Sequence, residues 1–524
     1  MTGLNDLERK FDLILKYVTE FTKDNYKLVA SGLIIGILVY LPLMSGNLVN
    51  NFDGIWHPSH FIAGNWEISL GRGLQRYADR ARFGLVTSSF NSLLVIALIA
   101  IGDSMVIKKL SIQNTFMKVV FVFLTIANPV VCESLTYSYM SVNFALPYLF
   151  SIVAFCVVCS KRFVKYHFNA LLAAIFFAVS MGFYQSYIGV TLVLVAIYLI
   201  QASDNGMDSK QYFRNIIDTV IMILLGGLIY IALTGMLCSK AGVSLSSYKG
   251  ADNVSLIGIL CTFPQSVISC YREFVKYVFS NGMSINLEFS YSVIILVIGI
   301  EILFAVRKLI KICKTNKVQA VVSAICFIAL PVASCFVCIL AVGNEMRGLM
   351  ATGIIMAIIM PVIILADNKT TKVLSGLVLL VISFYFVSAV ERDQIALHEG
   401  KVATTTLVQS IYQQIYENNY MEQVNRIAFI GRAADNPAFH KSAVYESANE
   451  YAQFGKWSTD TRNNRVTWEG VINEFCGLNV NMCGDDTYDQ IKAMSAVESM
   501  PVYPGKGSMM IIDDVLVIKV SNNY

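Results

Sequence analysis

The sequence predicts a mainly α-helical polytopic membrane protein, with about eleven transmembrane helices followed by a small extracytoplasmic α/β domain. The chain of 524 residues is 56% hydrophobic and only 15% charged, whereas soluble domains carry about 25% charged residues. Long apolar segments recur between residues 27 and 390, and a helix needs about 20 apolar residues to cross a bilayer. Residues 391–524 contain no such segment and are polar throughout.

The chain begins with residues 1–26, in which apolar side chains recur at helical spacing among Lys and Glu residues. This pattern predicts an amphipathic helix on the cytoplasmic surface of the membrane. Residues 27–390 form the predicted transmembrane domain. A polar break at 182–187 (GFYQSY) divides an apolar run, 168–202, that is too long for one crossing of roughly 30 Å. The predicted spans are 28–46, 84–107, 116–132, 142–159, the two halves of 168–202, 215–237, 289–306, 319–342, 349–366 and 372–390.

Positive charges predict the orientation, because short loops rich in Lys and Arg stay on the cytoplasmic side. Threading these spans alternately places six Lys- or Arg-containing segments on one side, which are 1–26, 108–118, 160–166, 203–214, 307–317 and 367–372. We therefore expect a cytoplasmic amino terminus, a carboxyl terminus outside, and two large outer loops at 47–83 and 238–288. The second loop contains a predicted surface helix near 263–279. Loop 47–83 is rich in arginine despite its outer position, which indicates a functional use of these charges.

Residues 391–524 predict a periplasmic or extracellular α/β domain. Segments 426–431 (RIAFIG) and 508–520 (SMMIIDDVLVIKV) are rich in β-branched side chains and predict strands, the second with an Asp-Asp turn between its halves. Apolar residues at helical spacing predict a helix at 404–418.

Cysteine and histidine spacing predicts no structural metal site. The twelve cysteines include no zinc-type grouping, and six of them lie in the predicted apolar spans. Cys476 and Cys483 are close in sequence and would either pair in an oxidising compartment or stay free. His57 and His60 could hold a metal, but no third ligand is evident, so we favour polar loop residues.

Asp53 follows the first span directly, within the motif NNFDG. Asn, Asp and Gly favour turns, so Asp53 is either a turn residue or a general base that accepts a proton from an acceptor hydroxyl. Its position at the outer membrane surface, with arginines following, favours the general base.

The same loop carries guanidinium groups and a second carboxylate. Residues 66–77 predict an amphipathic helix, on which Arg72 and Arg76 share one face. Arginines beside a membrane either extend toward lipid headgroups or bind phosphate through paired hydrogen bonds, and we favour phosphate binding. Trp66 is expected to line the same cavity. Glu67 is a surface acid, a salt-bridge partner or a second catalytic carboxylate.

Other polar side chains are weaker candidates. Tyr184 and Gln185 interrupt an apolar run and either form a turn or line a cavity for a sugar or lipid tail. Glu345 and Arg347 are either a solvated charge pair or part of the site, with Arg347 as a further phosphate ligand. Lys519, in the outer domain, is a candidate for acceptor or phosphate contacts.

Five motifs, in a fixed order, carry a resemblance to a known family. They are NNFDG, GNWEISLGRGL, GFYQSY, NEMRG and YPGKGSMMIIDDVLVIKV. With them the chain resembles, over nearly its whole length, the GtrII-like serotype-converting glucosyltransferases, which are membrane glycosyltransferases of the GT-C type. Each motif is short, and it is their common order that makes the match specific.

The resemblance implies a GT-C-type helical fold in the bacterial inner membrane. It implies a donor sugar, usually glucose, on a polyprenyl-phosphate carrier such as undecaprenyl phosphate, and an acceptor in surface polysaccharide, typically the O-antigen of lipopolysaccharide. Asp53 matches the acid of the family's first loop, and Arg72 matches the arginine of its GR pair. Many GT-C enzymes have two adjacent acids where this sequence has one, which leaves the role of Glu67 open.

We therefore expect an inverting hexosyltransferase in which Asp53 is the base and Arg72, Arg76 and Arg347 hold the leaving phosphate. No metal or other cofactor is expected. The expected partners are the lipid-linked sugar, a polysaccharide acceptor and membrane lipid, with no nucleic acid. The alternatives are a lipid-linked sugar flippase or transporter and a polysaccharide polymerase. Transporters usually show internal repeats and charges within their spans, and this sequence has no evident repeat and few such charges.

Overall fold

The computed structural model describes residues 2–160, 167–248, 256–279, 290–340, 345–346 and 348–524. Within these residues the helices of the amino-terminal part are α1 (Thr2–Gly46), α2 (Asp53–Trp56), α3 (Asn65–Ser69), α4 (Gln75–Ala81), α5 (Ser88–Lys109), α6 (Thr115–Ile126), α7 (Pro129–Thr136), α8 (Ser141–Val158), α9 (Phe168–Phe183), α10 (Ile188–Asp204), α11 (Ser209–Ala241), α12 (Leu256–Phe279), α13 (Ser290–Thr315), α14 (Lys317–Ile328), α15 (Leu330–Ser334), α16 (Val337–Leu340), α17 (Thr352–Ile364) and α18 (Lys369–Glu417). The elements that follow are α19 (Tyr420–Gln423), β1 (Arg426–Ile430), α20 (Ala443–Ser447), α21 (Thr461–Gly470), α22 (Asp485–Lys492), α23 (Ser495–Ser499), β2 (Met509–Ile512) and β3 (Val515–Lys519).

Apolar helices dominate the fold, as the composition predicts. Among the described residues, six helices are long and apolar enough to cross a membrane, or seven if the bent pair α6–α7 is one span. Three shorter apolar helices, α9, α14 and α17, accompany them. The chain is therefore a helical membrane protein, but the predicted number of eleven spans is not confirmed.

Two predicted spans are broken at prolines. Helices α6 and α7 meet at an angle of 42°, where the Asn128 side chain caps α7 and Pro129 opens it. The predicted span 319–342 is divided among α14, α15 and α16, with Pro331 in the first turn of α15. Proline lacks the amide hydrogen that a helix interior requires, so each of these prolines begins a new helix.

The break predicted at 182–187 is confirmed. Helix α9 ends at Phe183, a short 3-10 helix spans Gln185–Tyr187, and α10 follows directly. The hydroxyl of Ser151 on α8 donates to the Tyr187 carbonyl, which satisfies one backbone group at this break.

Two helices are longer than the sequence predicts. The expected surface helix 1–26 and the first span form one continuous helix, α1. Likewise the last predicted span and the helix predicted at 404–418 are both parts of α18, which has 49 residues. Neither junction contains a proline, so nothing in the local sequence ends the backbone hydrogen-bond ladder.

A three-stranded sheet organises the carboxyl-terminal domain, with the order β1–β3–β2. Strand β3 is parallel to β1 and antiparallel to β2. These strands confirm the predictions at 426–431 and 508–520. Asp513 and Asp514 have φ values of 45° and 63°, which suits the tight hairpin turn between β2 and β3. Cys476 and Cys483 are both free thiols.

Helix α18 runs from the membrane part into this domain, and its buried Asp393 carboxylate holds a segment of the domain against the helix. Asp393 accepts hydrogen bonds from the Asn449 side chain at 2.7 Å and the Tyr451 hydroxyl at 2.8 Å. Arg392 pairs with the same carboxylate at 2.8 Å. A charge buried in this way is tolerated only with such partners, so segment 449–451 is held against α18.

Candidate active site

A cavity of about 1600 Å³ lies between the loop 47–83, the α7–α8 connection and the carboxyl-terminal domain. Its lining is rich in aromatic and charged side chains, which is typical of a site for a polar ligand. The predicted site residues that line it are Asp53, Trp66, Glu67, Arg72, Tyr184 and Glu345.

The turn that presents Asp53 is built by its neighbour Asn50. The Asn50 side-chain oxygen accepts the amides of Phe52 and Gly54, each at 2.9 Å, and the Asn50 amide donates to the Thr136 carbonyl at 3.0 Å. A side chain at Gly54 would crowd that same carbonyl, because its Cβ would lie 3.1 Å away. Asn50 therefore performs the turn role that the sequence left open for Asp53.

The Asp53 carboxylate faces a buried tyrosine that sequence reasoning missed. The hydroxyl of Tyr139 hydrogen-bonds to Asp53, and burial, followed by the Asp53 charge, raises the pKa of Tyr139 well above its ordinary value. Tyr139 therefore remains a hydrogen-bond donor at neutral pH. Its ring packs against Phe61 and His57 at centroid distances of 4.6 and 5.2 Å, and burial lowers the pKa of His57.

Arg72 lies on a turn rather than on the predicted helix 66–77, which is divided into α3 and α4. Gly71 has φ of 75°, and a Cβ there would collide with the hydroxyl of Tyr230. The turn directs the Arg72 guanidinium over the Tyr184 ring, with 4.4 Å between its central carbon and the ring centroid. Within the described chain no acidic side chain pairs with Arg72, so the cation is available to an anionic ligand.

Gln185 does not line the cavity but lies behind Arg72. Its amide nitrogen donates to the Leu70 carbonyl at 2.8 Å and the Tyr230 hydroxyl at 2.9 Å. Its amide oxygen lies 3.5 Å from the Arg72 Nε atom, at the long limit of a hydrogen bond. Gln185 thus supports the turn and the orientation of Arg72.

Trp66 and Glu67 occupy the first turn of the short helix α3, within the loop 47–83. One Glu67 oxygen accepts the Gly64 amide at 2.6 Å and so satisfies a backbone donor at the start of α3, while the carboxylate still borders the cavity. Trp66 is 55% exposed and its ring centroid lies 5.7 Å from that of Tyr248. These two rings form one edge of the cavity.

Arg76 and Lys519 lie outside the cavity lining, contrary to the sequence prediction. Arg76 donates to the Ala63 carbonyl at 2.8 Å and the Asn65 side chain at 3.0 Å, so it stabilises the loop. Lys519 is 2% exposed, and its ammonium donates to the carbonyls of Val497 and Glu498 at 3.0 and 2.8 Å. Burial lowers the pKa of Lys519.

The loop after α16 is described only in part. Glu345 borders the cavity and forms an exposed ion pair with Lys276 at 2.9 Å. Arg347 lies outside the described residues. Gly348 packs against the carboxylate of Glu133, and any Cβ at Gly348 would collide with it.

Several lining residues come from segments that the sequence did not mark. Glu133 belongs to α7 and lies between the predicted spans 116–132 and 142–159; a lone acid beside an apolar span is the signal that could have identified it. Arg462 and Thr467 are contributed by α21 of the carboxyl-terminal domain. Among the described residues, no group of three or more His, Cys, Asp or Glu has a metal-binding arrangement.

Helices long and apolar enough to cross a membrane, beside a large cavity with acids and an arginine on its wall, form the arrangement that a membrane-embedded enzyme requires. Residues 48–358, more than half of the chain, match the family model described as Glucosyl transferase GtrII. The chain belongs to this family, which confirms the predicted resemblance and identifies a membrane glycosyltransferase. No curated protein and no solved structure was found to match it.

Proposed function

We propose that this protein is an inverting glycosyltransferase that moves glucose from polyprenyl phosphate to a surface polysaccharide such as O-antigen. The observation that carries the proposal is that Asp53 and Arg72 line the same cavity. A base for the acceptor and a cation for a leaving phosphate are the two groups that this transfer requires.

In the proposed step Asp53 accepts the proton of an acceptor hydroxyl, and the hydroxyl oxygen attacks the anomeric carbon of the donor. The bond from that carbon to the phosphate oxygen breaks, and polyprenyl phosphate leaves with the electron pair. Arg72, stacked on Tyr184, stabilises the leaving charge without requiring a metal. Tyr139 orients the Asp53 carboxylate through its hydroxyl.

The remaining predicted residues receive narrower roles in this proposal. Glu67 caps α3 and borders the site as a second carboxylate, and Gln185 positions Arg72. Arg347 is retained as a further phosphate ligand on its sequence position alone. Arg76 and Lys519 are withdrawn from substrate binding, because neither lines the cavity and each is held by hydrogen bonds to other protein groups.

We also propose that the cavity opens on the outer face of the bacterial inner membrane. Helix α5 begins beside the first outer loop and ends at Lys108 and Lys109, at its opposite end. Asp204 pairs with Lys308 and Lys311 at the carboxyl end of α10, while the start of α10 adjoins Tyr184. Positive charges at the helix ends away from the cavity support a cytoplasmic location for those ends.

The test is transfer of radiolabelled glucose from polyprenyl-phosphate glucose to polysaccharide in proteoliposomes. Asp53→Asn removes the proton acceptor and should lower kcat by roughly 10²- to 10⁴-fold. Asp514→Asn, which changes an exposed carboxylate in the β2–β3 turn, is the matched control and should remain active. An Asp53→Asn variant with wild-type turnover would refute the proposed base. Lipid scrambling without sugar transfer would instead support the flippase alternative.

A further inference from the structure

We propose that Trp56 and helix α21 of the carboxyl-terminal domain form the subsite for the acceptor saccharide. The inference deepens the proposed function and rests on it. Arg72, which stacks on Tyr184, lines the same cavity and is the proposed phosphate ligand. Helix α21 lines the cavity from the carboxyl-terminal domain, so its side chains are available to the other substrate.

The two sides of the cavity differ in chemical character. Near Tyr184 the wall also contains Leu70 and Phe144, which are apolar. The α21 wall instead presents Arg462 and Asn463, two polar side chains in the first turn of this helix. Saccharides offer many hydroxyl groups, so a wall of hydrogen-bonding side chains suits an acceptor sugar better than a lipid carrier.

Arg462 is exposed toward the cavity and is free to contact a ligand. Within the described part of the chain its guanidinium makes no hydrogen bond or ion pair. Arg465, one turn later, is held by Asp485 at 2.6 Å and Glu469 at 3.5 Å. Two arginines on the same short helix thus differ in use: Arg465 supports the fold, and Arg462 has five donors left for a ligand.

Trp56 supplies an aromatic face beside the proposed base. Its indole nitrogen donates to the Thr467 hydroxyl at 2.8 Å, which fixes the ring against α21. Trp56 is three residues after Asp53 in α2, and side chains at this spacing lie on the same side of a helix. A sugar whose apolar face covers the Trp56 ring would therefore bring a hydroxyl toward the Asp53 carboxylate.

The α21 wall and the first loop are also held together rigidly. Gly470 lies so close to the Ile55 carbonyl that a Cβ on Gly470 would be only 2.5 Å from it. Asn51 accepts the Gly455 amide at 3.0 Å and donates to the Lys456 carbonyl. These contacts preorganise the acceptor wall relative to Asp53, which is what alignment of a nucleophile requires.

The experiment compares Arg462→Gln with Lys506→Gln, an exposed lysine of the same domain that lies outside the cavity lining. The probes are radiolabelled polyprenyl-phosphate glucose and delipidated surface polysaccharide from the source strain. We expect Arg462→Gln to raise the KM for polysaccharide about tenfold, with kcat and the KM for donor within about twofold. Trp56→Leu should raise the same KM, and Lys506→Gln should change none of them.

Binding of the polysaccharide alone, followed by tryptophan fluorescence in detergent without donor, separates this inference from the reaction. Loss of binding in Arg462→Gln, with binding kept in Asp53→Asn, supports the subsite whether or not transfer is detected. An unchanged polysaccharide KM and affinity in Arg462→Gln, or an equal effect in Lys506→Gln, would overturn it. Absence of transfer by the wild type with binding intact would count against the proposed function alone.

Discussion

The ion pair of Asp79 and Arg82 offers a strong test of how the first loop is held. Asp79 is fully buried, and its oxygens accept hydrogen bonds from the Ala63 amide at 3.0 Å, the Asn143 side chain at 2.9 Å and Arg82 at 2.8 Å. The Arg82 side chain is only 13% exposed and also donates to the Tyr139 carbonyl at 3.3 Å. The pair therefore connects the loop to the tyrosine that contacts Asp53.

The two single substitutions should have unequal costs. In Asp79→Asn, either orientation of the new amide places its NH₂ against a donor, and Arg82 remains charged and nearly buried. Breaking a buried pair in this way costs about 3–5 kcal/mol. In Arg82→Gln the remaining carboxyl can become neutral, since burial already raises the pKa of Asp79. We therefore expect a smaller cost, of about 1–3 kcal/mol.

The free-energy costs of Asp79→Asn and Arg82→Gln should not add, because the second substitution removes the partner that the first leaves unpaired. The double variant should be at least about 2 kcal/mol more stable than the sum of the single costs predicts. The assay is unfolding in mixed detergent and SDS micelles, followed by tryptophan fluorescence.

The control is Asp24→Asn. Its ion pair with Lys108 has side chains 61% and 59% exposed, so its loss should cost less than about 1 kcal/mol. Additivity within about 0.5 kcal/mol at Asp79 and Arg82 would refute the reasoning. Because a raised carboxyl pKa means that the folded state binds more protons, Arg82→Gln should also lose stability as pH rises above about 4.

Three further predictions concern the walls of the cavity. Gly71→Ala forces a left-handed backbone and a clash with Tyr230, so it should destabilise the protein by more than about 1–2 kcal/mol in the same unfolding assay, whereas Gly227→Ala on α11 has open space and should not. Asn51→Ala leaves the buried Gly455 amide unpaired, at about 1–3 kcal/mol, and also removes the partly buried hydrogen bond to the Lys456 carbonyl, so it should speed tryptic release of the carboxyl-terminal domain; unchanged release would contradict the role of Asn51. Because burial lowers the pKa of His57, the unfolded state binds more protons below pH 6.5, so the melting temperature should fall on acidification from pH 7.5 to 5.5 and fall less in His57→Gln. If the melting temperature changed equally with pH in the wild type and in His57→Gln, the argument from the burial of His57 would be contradicted.

The sequence correctly predicted the strands, the turn and the helix break that depend on a short stretch of neighbouring residues. The strands at 426–431 and 508–520 follow from β-branched runs, and the Asp-Asp turn tolerates positive φ. The break at 182–187 follows from polar side chains within an apolar run. Segments 116–132 and 319–342 are each predicted as one span, because apolar content alone does not reveal where a proline divides a helix.

The candidate site was predictable only where its residues are close in sequence. Asp53 and Arg72 share the first loop, so one stretch of sequence indicated both. Helical spacing predicts that Arg72 and Arg76 share one face of a helix. Gly71, with its positive φ, instead lies between α3 and α4, so Arg72 and Arg76 are not on one continuous helix. Tyr139 and Arg462 reach the cavity from distant segments through tertiary packing, and no local pattern marks such residues.

The unbroken course of α18 has a consequence for how this protein tolerates changes in length. With 49 residues at about 1.5 Å each, it is a single rod of about 74 Å that leads from apolar surroundings into the polar domain. Adding one residue to that rod would swing everything beyond it by about 100°, since there are about 3.6 residues per turn. Insertions between the last predicted span and Asp393 would therefore preserve the orientation of the domain about the helix axis only when their length is close to a whole number of helical turns.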